Sequence, residues 1–198
     1  MKNLFKIFTL VLMMKSSTNY CQTINLADYN GKPIQDAYYE DTSGLLDPFV
    51  GNYLYTNGNT SLKVTIRKLT MFYNGYYYED TLVGEYRYIF NGITKRYTLL
   101  NLNDDYYNNY EHAFNGNGVF TTGSPICGGC VGNEYVISCG LVDHFSKNSA
   151  DLILQRKLVN NQQTLLLTVY WDTRIHKEGT PPLLNPPIPG GDYVLIKQ

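Results

Sequence analysis

The chain has no excess of positive charge, no apolar run long enough to cross a bilayer, and no motif of a familiar catalytic centre. Each absence removes a class of function. Sixteen Lys and Arg stand against 17 Asp and Glu, for a net charge of -1, and the two signs are mixed along the chain. No basic stripe is available to neutralise phosphates, so nucleic acid is excluded as a partner. The apolar run Ile7 to Met14 is too short to span a membrane, and no run of spanning length follows it. No serine sits in a G-x-S-x-G setting, and no second C-x-x-C accompanies Cys127-Gly128-Gly129-Cys130. Asn101 to Asn109 offers oxygens but not the twelve-residue pattern of a calcium loop. Nothing implies a cofactor, a metal or an enzyme, and strong helix formers are thin throughout.

What is present points to sheet. Nineteen Tyr and 17 Gly accompany many Asn in 198 residues. Tyr suits the pleated, half-buried surface of a strand, while Gly and Asn supply turns. At the N-terminus, basic Met1 to Lys6, apolar Ile7 to Met14 and polar Lys15 to Asn19 follow the order of a secretory signal. Residues 1–21 are therefore expected to be a leader cut after Cys21, leaving Gln22 first. The competing expectation makes Cys21 the lipid-bearing cysteine of a lipoprotein, although Tyr20 and Thr18 depart from a lipobox. Both readings place the protein outside the cytoplasm, periplasmic, secreted or anchored.

Residues 22–46 show little periodicity and read as an extended arm, with one short helical turn, lying over the domain rather than within its sheet. From residue 47 to 198 the pattern is that of one domain. Leu62, Val64 and Ile66 alternate with Lys63, Thr65 and Arg67. Leu82, Gly84, Tyr86, Tyr88 and Phe90 alternate with Val83, Glu85, Arg87 and Ile89. Such period-two runs mark strands with one apolar face. Asn57-Gly58, Asn74-Gly75 and Asn91-Gly92 separate them, the strongest short signal for a hairpin. Further strands are expected at Glu134 to Cys139, Asp151 to Val159, Thr164 to Trp171 and Tyr193 to Lys197. Five of the eight prolines lie in Gly179 to Gly191, which must be a loop. The expected fold is all-β: an antiparallel up-and-down meander of about 8–10 strands, curled or closed into a small barrel to dispose of its edges.

Phe49-Val50-Gly51-Asn52-Tyr53 resembles the first barrel strand of lipocalin-like proteins, with Tyr53 where Trp is usual. The stretch DPFVGNYLYTNGNTSLKVTIRK, continued by YYYEDTLVGEYRY and NG and ending in IPGGDYVLIKQ, resembles an uncharacterised family of exported flavobacterial proteins, a domain of unknown function. The resemblance runs from about Gln22 to Gln198. It implies an exported, barrel-like domain, and it brings no activity and no catalytic residues.

Cys127, Cys130 and Cys139 are the candidates for a disulfide in an oxidising compartment, in any pairing. A tetrahedral metal set with His144 and a thioredoxin-like redox pair are the alternatives. His112, His144 and His176 are expected to be exposed or singly hydrogen-bonded. Glu79-Asp80 and Asp104-Asp105 read as solvated carboxylates, because neighbours on a strand point to opposite faces and cannot flank one sugar. The tyrosines, among them Tyr76-Tyr77-Tyr78, are the most suggestive set, since Tyr joins apolar area to a hydrogen-bonding tip. The expected function is a non-enzymatic module binding a small hydrophobic or polar ligand inside the barrel, lined by Tyr53, Tyr86, Tyr88 and Trp171. The alternative is a cell-envelope or surface module whose exposed Tyr/Asn loops contact a protein or glycan, and a filled barrel interior would favour it.

Overall fold

A computed structural model describes residues 22–104, 111–159, 161–172 and 185–198. Its strands in chain order are β1 (Thr23–Asn25), β2 (Tyr38–Glu40), β3 (Gly51–Asn57), β4 (Thr60–Tyr73), β5 (Tyr78–Phe90), β6 (Ile93–Tyr97), β7 (Phe114–Thr121), β8 (Tyr135–Asp143), β9 (Asn148–Val159), β10 (Gln162–Trp171) and β11 (Gly191–Lys197). Eight of them, β3, β4, β5, β7, β8, β9, β10 and β11, close into an antiparallel up-and-down barrel. The ring is completed where β11 meets β3 (Ile196 opposite Leu54) and where β5 meets β7 (Leu82 opposite Gly116). Closure removes the two edges an open meander would expose. The expected all-β barrel is what the chain forms.

The hairpins refine the Asn-Gly reading. Asn91 and Gly92 both have positive φ (51° and 74°) between paired Phe90 and Ile93, which is the type I′ geometry. At the first hairpin Asn57 belongs to β3, paired with Thr60, and Gly58-Asn59 makes the turn with positive φ at Gly58 alone. Asn74-Gly75 lies in a longer loop between paired Tyr73 and Tyr78, where the Asn74 side chain accepts from the amides of Tyr76 and Tyr77.

The arm is the main departure. It does carry a single 3-10 turn, Leu26–Asp28, but it also enters the sheet. β1 pairs with β2 and β2 pairs with β5, both in parallel. Three-residue strands have no periodicity to reveal them, and nothing local specifies a parallel pairing. β5 consequently shares one edge among three partners: β2 at Tyr78–Glu79, β7 at Leu82–Gly84 and β6 at Arg87–Phe90.

The barrel interior is a packed core. Leu62, Val64, Ile66, Leu152, Leu154 and Leu165 point inward and are buried. Each such aliphatic side chain contributes about 1.5–3 kcal/mol of burial. Gly84 is required by this packing, because a Cβ there would collide with the Phe114 ring that crosses the interior. Leu46 and Phe49, around the 3-10 turn Asp47–Phe49, plug one end, where Tyr53 Oη donates to the Phe49 carbonyl and Tyr135 Oη to that of Leu45. Ile188 plugs the other, held as Trp171 Nε1 donates to its carbonyl. The void left among Leu62, Tyr86, Phe114, Leu152 and Ile188 is about 10 Å³, room for about one water.

Candidate functional site

The structure places the four expected lining residues in this core. Tyr53, Tyr86 and Tyr88 are buried within it, and Trp171 packs against it beside Ile188. They share the interior, and the void that Tyr86 borders there, about 10 Å³, is too small for a ligand.

Larger cavities open on the outside, two of them among the described residues. One, about 480 Å³, lies at the Phe49 end among Tyr135, Arg156, Gln163 and Glu134. It is broad, and one of its two cations, Lys157, is drawn to Glu134 at 3.7 Å. The other, about 340 Å³, lies where β2 and β7 diverge from their shared edge of β5. β7 bulges between Asn115 and Gly118 and turns toward β8, while the arm approaches from the opposite side. A fork of this kind leaves a groove between two strands that cannot occupy the same edge.

The arm supplies Leu26, Tyr29 and Tyr39 to the groove, β7 supplies Asn117, Val119 and Phe120, and Tyr77 and Glu79 form its floor. Tyr39 stands edge-on to Tyr29 at 5.2 Å and to Tyr77 at 5.0 Å between ring centroids. That spacing is favourable for aromatic pairs. Tyr39 is further fixed by accepting from the Ile34 amide at 3.0 Å, whereas Tyr29 remains 43% exposed at the rim.

Glu79 is only 8% exposed. Its Oε2 accepts from Asn117 Nδ2 at 2.8 Å and its Oε1 from Asn74 Nδ2 at 3.2 Å. Burial pushes its carboxyl above the ordinary glutamate range, and the hydrogen bonds from Asn117, Asn74 and Tyr77 only partly offset this. Burial also raises the Tyr77 phenol, with the Glu79 charge adding to the effect. Among the described residues no Lys, Arg or His lies within ion-pair distance of Glu79, although Asp41, Asp80, Asp143 and Glu134 all have such a partner.

The expectation of a solvated Glu79-Asp80 pair is thus corrected: both are buried, on opposite faces of β5. Asp80 faces the barrel end and accepts from Tyr38 Oη at 2.6 Å, the Met71 amide at 3.1 Å and the Asp41 amide at 3.0 Å. Sequence reasoning also missed Tyr29, Tyr39 and Asn117. The available signal was that Tyr77 and Glu79 share a parity, which puts an aromatic and a carboxylate on one face.

The cysteine question resolves as a disulfide between Cys127 and Cys130, with Cα atoms 5.4 Å apart. Cys139 is free and buried, and burial pushes its thiol up to about 12. With two of its ligands bonded to each other, the tetrahedral metal set is excluded. No group of three or more His, Cys, Asp or Glu among the described residues could hold a metal ion. His112 is buried and hydrogen-bonded to Glu85 at 2.9 Å, and His144 is exposed. Cys21, the leader, His176, Tyr106, Tyr107 and Tyr110 lie outside the described residues. No described helix is long and apolar enough to cross a membrane.

No curated protein and no solved structure matches the chain. A family model does, over residues 1–198, and the chain belongs to the Family of unknown function (DUF6705).

Proposed function

We propose that the chain is an exported, non-enzymatic binding module whose ligand occupies the tyrosine groove between the arm and β7, not the barrel interior. The observation that carries this reading is the contrast in space: about 10 Å³ inside the barrel against about 340 Å³ in a groove walled by Tyr29, Tyr39, Tyr77 and Phe120. Small-molecule sites fall in the larger range, with mostly apolar walls and a few convergent polar groups. The signal-like leader and the disulfide support export, because such bonds persist in oxidising compartments. The groove opens at exposed Tyr29, so its occupant is either a free small molecule or a side chain of a cell-envelope partner.

An NMR screen of the chain from Gln22 against mixed methyl glycosides, alkylamines and small alcohols tests the proposal. Amide shifts should cluster at Gly31, Gly118 and Phe120 and vanish in Tyr77→Ala. Shifts clustering at Tyr88 and Trp171, or at no site, would overturn it.

A further inference from the structure

We infer that the groove is a cation site, with the Glu79 carboxylate as counter-ion and the rings of Tyr29, Tyr39 and Tyr77 as its wall, for an alkylammonium group. This inference rests on the groove being the binding site, and it specifies what that site takes. Three observations converge. First, Glu79 is the groove's one buried charge and no cation of the described chain meets it, whereas buried Asp41, Asp80 and Asp143 have Lys68 or Arg96. A buried carboxylate is costly unless paired, and hydrogen bonds alone leave its charge uncompensated.

Second, the groove's donors nearest Glu79 are already committed, the Tyr77 hydroxyl among them. The Asn117 amide is spent on Glu79 and the Asp80 carbonyl, and the Asn74 amide on Glu79. What faces an occupant is therefore mainly carboxylate lone pairs and aromatic surface. An ammonium, with three donors and no acceptor, is complementary to that surface; a sugar, which needs both donors and acceptors, is much less so. Third, the ring faces carry negative quadrupoles and attract a cation within about 6 Å. The volume of about 340 Å³ holds an alkyl chain as well as the charged head.

Calorimetric titration with n-butylammonium and with n-butanol, its neutral counterpart, tests the assignment. The ammonium should bind at least about tenfold more tightly, the equivalent of one ion pair or cation-π contact. Glu79→Gln should remove that preference, with folding checked by circular dichroism. Tyr29→Leu, at the exposed rim, should weaken butylammonium binding severalfold without touching the charge. A blocked Gly-Lys-Gly peptide, compared with its Nε-acetyl form, shows whether a lysine side chain can supply the ammonium in place of a free amine. Equal affinity for butylammonium and butanol, or a preference that survives in Glu79→Gln, would overturn the cation assignment. The groove itself would still stand if Tyr77→Ala abolished both. Binding of neither probe, with no glycoside shift at the groove, would remove both readings.

Discussion

Glu79 and Asp80 are consecutive carboxylates on β5, both buried, and their surroundings are opposite. Asp80 belongs to a clasp at the Phe49 end of the barrel, with Asp41 and with Lys68, whose Nζ lies 2.9 Å from Asp41 and from Asp47 and 3.9 Å from Asp80. The amides of Leu45 and Leu46 donate to Asp41 at 2.7 and 2.9 Å, and the Asp41 amide donates to Asp80 at 3.0 Å, so the clasp fastens the arm to the barrel wall. Met71, with φ of 52° in the β4 bulge, turns its amide onto Asp80. Each carboxylate oxygen of Asp41 and Asp80 has a partner, and both groups face the same cation. Across the strand, Glu79 has amide donors and no described cation, beside a cavity. The comparison separates a carboxylate that is a structural part from one whose partner is not supplied by the described chain.

The largest effect should come from breaking the clasp. In Lys68→Met the Asp41 side chain, fully buried, and that of Asp80, 4% exposed, would lose their cation. Removing one member of a buried pair leaves an uncompensated charge, and the expected loss is about 3 kcal/mol in urea unfolding at pH 7. A loss below about 1 kcal/mol would mean that the backbone amides alone hold these carboxylates.

The second test is pH. Burial alone would raise the Asp41 carboxyl, but the Leu46 and Leu45 amides and the Lys68 ammonium hold it below the ordinary aspartate value of 3.8. A folded value below the unfolded one means that the unfolded chain binds more protons between the two. This contribution is present above about pH 4 and is lost as pH falls through the folded value. Stability should therefore decline on acidification below pH 4, and the decline should be shallower in Lys68→Met. Parallel curves for the two proteins would detach the shift from the ion pair.

The barrel was legible in the sequence where one face of a strand is wet and the other dry. Leu62, Val64 and Ile66 alternate with Lys63, Thr65 and Arg67 for that reason. The start of β5, Tyr78 to Thr81, was not legible, because Glu79, Asp80 and Thr81 are polar yet buried on both faces of the strand. The arm was read as lying outside the sheet because its pairings are parallel and three residues or fewer in register, and the one that joins it to the barrel is made with β5 about 40 positions away. The groove was invisible for the same reason: Tyr29, Tyr39, Glu79 and Asn117 meet only once β2 and β7 have been placed on one edge. The large tyrosines of the alternating runs were visible, and a barrel plugged at both ends uses Tyr53, Tyr86 and Tyr88 as core.

The smallest effect, and the sharpest discriminator, is the stability of Glu79→Gln. Glu79 has its folded pKa above the ordinary value of 4.5, so the sign is the reverse of that for Asp41. Its contribution is present below pH 4.5 and is lost as pH rises through the folded value, since the ionised form is the one that burial penalises. Gln cannot titrate. The wild type should therefore lose stability relative to Glu79→Gln between about pH 4 and pH 7, by less than about 1 kcal/mol, measured as the difference between urea unfolding curves of the two proteins. A flat difference would show that the amides of Asn74 and Asn117 already satisfy the charge. A difference that narrows when butylammonium is added at pH 7 would show that the missing partner is a cation, because only a ligand that offsets the ionised carboxylate can restore what its burial costs.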